Sequence, residues 1–195
     1  MKTIPVCLYS VAMLMLAGGC VRSLNPLVGP DDRTFDPALV GTWTEGDGDE
    51  SWAFTQAGDD QYRLVYTDAQ GRAAPFDAAL TTLGEDRFLQ FAPADLPENP
   101  NDFYQWHVLP TCSFVRIRQI EPELQMQFPD ADWLKDQLTA SPGALEHAYI
   151  GDELILTAPT AGLRTFWQAH ARTPGAFEDP SHLTKRPTAE KGPGG

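Results

Sequence analysis

The densest run of potential metal ligands is Glu45-Gly-Asp47-Gly-Asp49-Glu50. Calcium loops place oxygen ligands at alternate positions, as Asp47 and Asp49 do briefly, but they also need further ligands and a bidentate Glu at the end of the loop. The run lacks both, so it reads as a solvated hairpin turn, and no metal site is expected. The four histidines, His107, His147, His170 and His182, stand singly, with no second ligand type at metal spacing. His107 beside Trp106, with Asp102 nearby, could seed acid–base chemistry, although neighbours in a strand point to opposite faces. Arg116 and Arg118 share one strand face, opposite Val115 and Ile117. Two readings of that pair stay open: a solvated face, or two cations lining a cavity or a partner surface. The chain holds no Gly-x-Ser-x-Gly elbow, phosphate loop, Gly-x-Gly-x-x-Gly, His-Glu-x-x-His or Cys-x-x-Cys. Each of these serves a chemistry that needs its own spacing. No catalytic residue, no cofactor and no enzyme activity are therefore expected.

The remaining reactive group is a thiol. Met1-Lys2-Thr3 is a short positive start, Ile4 to Ala17 is almost wholly apolar, and Gly18 and Gly19 precede Cys20. Charge, apolar core and small residues, in that order, make a secretory signal. The apolar run is too short for a hydrocarbon core of about 30 Å, which takes about 20 helical residues. Leu16-Ala17-Gly18-Gly19-Cys20 resembles the bacterial lipobox, with Ala17 rather than the commoner Leu three places before the cysteine. The resemblance implies cleavage before Cys20, a diacylglycerol on its thiol and an acyl chain, palmitate being typical, on its amino group. Each buried CH₂ adds about 0.8 kcal/mol of membrane affinity, so several chains on one residue make a firm anchor. Residue 21 is Val. In Gram-negative lipoproteins an Asp there retains the protein at the inner membrane, so the resemblance implies the periplasmic face of the outer membrane if the source has one.

Removing residues 1–19 leaves 176 of the 195 residues, enough for one domain with a substantial core. The formal net charge is −13, and Lys2 is the only charge in the removed segment, so the mature chain stands at −14. With no basic patch to neutralise phosphates, a nucleic-acid partner is not expected. The one sequential cationic cluster is Lys185-Arg186. Cys7 leaves with the signal and Cys20 takes the lipid, so Cys112 has no partner for an internal disulfide. Cys112 reads either as a small apolar strand residue or as a reactive thiol or intermolecular bridge.

The elements that must position these groups are mostly strands. Residues 21–36, with Pro26, Gly29 and Pro30, read as a tether, although Leu24, Pro26 and Leu27 could dock on the domain. Trp52 and Phe54 alternate with small or polar residues, and Tyr62, Leu64 and Tyr66 share one face. Phe76, Ala78 and Leu80 repeat the pattern between turns at Ala57–Asp60, Asp68–Gly71 and Gly84–Asp86. Period-two alternation between Gly/Asp-rich turns predicts an antiparallel meander. After a proline-rich loop at 92–102, further strands are predicted near 103–109, 112–120 and 153–157. Asp130 or Asp132 can cap a helix carrying Trp133, Leu134 and Leu138, and residues 144–149 read as another helical turn. After Thr160, Leu163, Phe166, Trp167 and His170 fall at i, i+3, i+4 and i+7, one helical stripe to lay on the sheet.

Phe35-Asp-Pro-Ala-Leu-Val-Gly41-Thr-Trp43 resembles the start of a lipocalin-type barrel, whose first strand carries Gly-x-Trp after a short helical turn. The resemblance implies that Trp43 packs across the closed end of a barrel. The chain lacks the Thr-Asp-Tyr type loop found late in that family, and a Trp in the core of another β fold accounts for the residues equally.

The fold class expected is mainly β (α+β): an antiparallel meander forming a barrel or strongly curved sheet, with two or three short C-terminal helices packed on it. The expected organisation is a signal peptide at 1–19, a lipidated Cys20 with a tether to residue 36, one domain at 37–178, and a mobile tail at 179–195. The candidate barrel core is Gly41, Trp43, Trp52, Phe54, Tyr62, Leu64 and Tyr66. The function expected is that of an envelope lipoprotein, held to the membrane through Cys20, acting as a non-catalytic interaction module for an unknown envelope protein. The alternative is a lipocalin-like carrier of a small apolar ligand.

Overall fold

A computed structural model describes residues 21–46, 48–95, 101–105 and 107–187. The signal segment, Cys20, Asp47, Trp106 and residues 188–195 lie outside the described residues. In chain order the elements are β1 (Arg22–Ser23), β2 (Gly41–Thr44), β3 (Ser51–Gln56), β4 (Tyr62–Thr67), β5 (Ala73–Leu83), β6 (Asp86–Pro93), α1 (Asp102–Gln105), β7 (Ser113–Gln119), β8 (Glu123–Gln127), α2 (Ala131–Ala140), β9 (His147–Ile150), β10 (Glu153–Leu156), α3 (Thr160–His170) and β11 (Ser181–Lys185). Two short 3-10 turns, Pro30–Asp32 and Pro37–Leu39, precede β2.

Strands β2 to β8 pair antiparallel, each with the next, and β11 pairs antiparallel with both β8 and β2. The result is a closed eight-stranded barrel. Closure removes every exposed edge from the meander. Alternation sorts the side chains. Leu89 and Phe91 of β6 and Val115 and Ile117 of β7 belong to the barrel's internal core. Phe88 and Phe114, one residue out of step, belong to a second core outside the wall.

That second core lies under the helices. Asp130 accepts from the Trp133 amide at 2.7 Å and starts α2. The α3 stripe Leu163, Phe166 and Trp167 is buried against Phe88 and Phe114. Each such side chain contributes about 1.5–3 kcal/mol on burial. A three-stranded sheet, in the order β1-β10-β9, completes this layer.

Four expectations are corrected. Residues 21–36 are not a free tether: β1 pairs in parallel with β10, Thr34 bridges Leu80, and Val21, Ser23, Leu27 and Val28 are buried. Leu27 and Val28 donate their backbone N–H groups to the Gln90 side-chain oxygen at 2.6 and 3.0 Å, which satisfies two buried donors. The segment from 179 is not all tail, since Ser181–Lys185 is the strand that closes the barrel. The predicted strand near 103–109 is replaced by the short helix α1. The predicted helical turn at 144–149 gives way to β9, held by its ladder with β10.

Candidate functional site

The predicted barrel-core residues converge, though not to one depth. Trp43, Phe54, Tyr62 and Leu64 are buried inside the barrel, with Leu80, Leu89, Phe91, Val115, Leu124, Met126 and Leu183 around them. Trp52 and Tyr66 are half-buried and pack on this core toward the other end, with ring centroids 4.7 Å apart. An eight-stranded barrel is just wide enough for its own side chains to fill.

One end is sealed by residues 35–40. Leu39 is fully buried in the barrel core, the Trp43 indole N–H donates to the Leu39 carbonyl at 2.8 Å, and the Tyr62 hydroxyl exchanges bonds with the Asp36 backbone. Lys185 crosses the same end: its ammonium lies 5.1 Å from the Trp43 ring centroid and donates to the Ala38 carbonyl at 2.9 Å. Gly41 is required here twice over. Its φ is +137°, and a Cβ would collide with the Lys185 side chain. Gly41→Ala should therefore cost about 1–3 kcal/mol in chemical denaturation, mostly as backbone strain, and Lys185→Ala should recover only part of the loss.

A concavity lies outside, at the rim of this sealed end. It measures about 680 Å³ and runs between the β5–β6 hairpin, the outer face of β7–β8 and the loop after α3. Four of the chain's ten arginines line it: Arg87, Arg116, Arg118 and Arg172. A smaller concavity of about 260 Å³ shares Glu85, Asp86 and Arg172 with it.

Arg87 and Arg172 are neutralised. Arg87 pairs with Asp36 at 2.8 Å, and Arg172 pairs with Glu85 at 2.7 Å and Asp86 at 3.0 Å. Burial alone would raise the Asp36 pKa, but bonds from Arg87 and the Ala38 amide outweigh it and hold the carboxyl below its usual range. Arg116 is placed differently. It is 7% exposed and points outward from β7, opposite Phe88 of β6. Its guanidinium lies 4.4 Å from the Phe177 ring centroid, and that ring is backed by Phe88 and Trp167. Its hydrogen-bond partner is the Gln127 side-chain oxygen, at 2.6 and 3.2 Å. Gln127 is itself oriented by donating to the Glu178 carbonyl at 2.7 Å. Burial lowers the Arg116 pKa, and the charges of Arg118 and Arg172 push the same way against the pull of Asp86. Arginine keeps its charge regardless. Arg118, two residues along the same face, is exposed, and no carboxylate pairs with it or with Arg116 among the described residues.

The other candidates do not join this site. Among the described residues no three His, Cys, Asp or Glu group at metal-binding geometry. Glu50 of the acidic turn accepts from the Tyr66 hydroxyl at 2.8 Å. The four histidines sit on separate elements, His182 against Glu123 and His147 against the Leu145 carbonyl. Burial pushes the Cys112 thiol up, away from thiolate, and its backbone is bridged to Ser23. The groove lining includes one hydroxyl, Thr173, and no His or Cys, so its chemistry is that of hydrogen-bond donation and charge. The sequence reading singled out Arg116 and Arg118 but missed Arg87, Arg172, Gln127 and Phe177. Those four come from other strands and a loop, and no local spacing links them. Comparison with known protein families, curated proteins and solved structures finds no match for this chain.

Proposed function

We propose that this chain is a lipid-anchored, non-catalytic binding module of the cell envelope, and that it engages its partner at the arginine groove on the barrel rim. The observation that carries the reading is the division of space: the described barrel interior is occupied by its own side chains, while the 680 Å³ groove outside presents two arginines without carboxylate partners. The anchor rests on the lipobox-like Leu16–Cys20. A second reading, a lipocalin-like carrier of a small apolar ligand, draws on Gly41-x-Trp43 at the sealed end and on the half-buried Trp52, Tyr66 and Phe76 toward the other.

Native mass spectrometry of the protein extracted from its own membranes tests both parts. The expected mass is the chain from Cys20 plus its acyl groups, with no further apolar ligand. Cys20→Ser is expected to stay at precursor mass. A Cys20→Ser protein cut normally before residue 20 would sink the anchor. An added metabolite or lipid mass that is lost on denaturation would move the function to the carrier.

A further inference from the structure

We propose that the groove binds a phosphate group, held between Arg116 and Arg118, with the rest of a small ligand lying along the Phe177 and Pro174 side. The inference rests on the groove being the binding face and adds the class of ligand.

Four arginines and two carboxylates line the groove. Arg172 uses both carboxylates, and Arg87 uses Asp36. With Asp36 counted, four guanidinium groups meet three carboxylates, a net of one positive charge, and Arg116 and Arg118 are the two without a carboxylate bond. Burying a charge without a bonded counter-charge is costly, and Asp86, whose charge reaches Arg116, is bonded to Arg172 instead. A phosphate group carries at least one negative charge at neutral pH, enough to offset that excess.

Geometry sets the shape. Arg116 and Arg118 both line the groove, on either side of Ile117 where the β7–β8 register shifts, so a single anion there can meet both guanidinium forks. A phosphate offers three acceptor oxygens to share between two forks, where a carboxylate is satisfied by one. Arg116 is already aimed: the Phe177 ring supports its flat face, and Gln127 takes two of its N–H groups and leaves the others for a ligand. A volume of about 680 Å³ also has room for the body of a small molecule.

The test is calorimetric titration of the full lipidated protein, in neutral detergent, with inorganic phosphate at constant ionic strength. One-to-one saturable binding with a Kd below about 1 mM is expected. Arg118→Glu, a change at an exposed side chain, should weaken it at least tenfold. Arg72→Glu makes the same charge change in the β4–β5 turn, away from the groove, and should leave it within twofold. Arg116→Lys, which keeps the charge and loses the fork, should also weaken binding. No saturable heat, or equal losses in Arg118→Glu and Arg72→Glu, would overturn the proposal. Repeating the titration in micelles doped with phosphatidylglycerol separates the sources of phosphate. Competition places a lipid headgroup in the groove, and no competition assigns it to a soluble phosphate compound. A null titration leaves the mass measurement above untouched, so the two readings fail separately.

Discussion

Replacing Trp43 with Ala is expected to cost about 3–5 kcal/mol of folding stability, measured by urea denaturation. The magnitude follows from what meets at this side chain. Trp43 is fully buried where β2 pairs with both β3 and β11, and its indole is tied to Leu39 of the sealing turn. Lys185 covers the ring from the closing strand. Truncation removes a large apolar surface, leaves the Leu39 carbonyl without its donor and opens a space that neighbouring strands in a closed ladder cannot collapse to fill. The half-buried Trp52 should cost less on the same change. A Trp43→Ala loss under about 1 kcal/mol would show that the barrel does not depend on this residue for closure.

Gln90→Leu is expected to cost about 2–4 kcal/mol, although the substitution looks favourable for a buried site. Gln90 lies on the outer face of β6, between the inward Leu89 and Phe91, and its side-chain oxygen serves both the Leu27 and Val28 amides. Leucine would leave two buried donors without an acceptor, each costing about 1–3 kcal/mol, and the gain in apolar contact offsets only part. Limited proteolysis should show the damage to be local, with new cuts between residues 24 and 34 before any within β3–β7. Unchanged protection of that segment would mean that β1 and Leu27 hold it without the amide bonds.

The sequence carried the meander well, because its strands advertise themselves locally. Trp52 and Phe54, then Tyr62, Leu64 and Tyr66, alternate as a half-buried strand must, and Gly58, Gly71 and Gly84 mark the turns between. Helices α2 and α3 are legible through a periodic apolar stripe, behind the Asp130 cap in α2, whereas α3 starts after Pro159 with no side-chain cap and the Thr160 hydroxyl donates to the Pro26 carbonyl. The missed strands share the opposite property. Ser-His-Leu-Thr-Lys of β11 has one buried side chain, Leu183, and looks like tail, because its pairing partners are about 60 and 140 residues distant. β1 is two residues long and exists only against β10. The groove was half visible. Arg116 and Arg118 stand out by alternation, but whether they face water or a wall depends on Phe177 and on the loop after α3, which the chain brings back from some 60 residues away.

The burial of Val21 governs how the protein would stand on a bilayer. Sixteen free residues could pay out about 50 Å of line between lipid and domain. Here residue 21 is packed, residue 23 is paired and residue 27 is in the core, so there is no line to pay out. An acylated Cys20 would moor the domain close to the lipid, one peptide bond from the buried Val21. Anchored in that way, the molecule would hold its groove within a short reach of the lipid, and whatever docked there would have to come to the membrane.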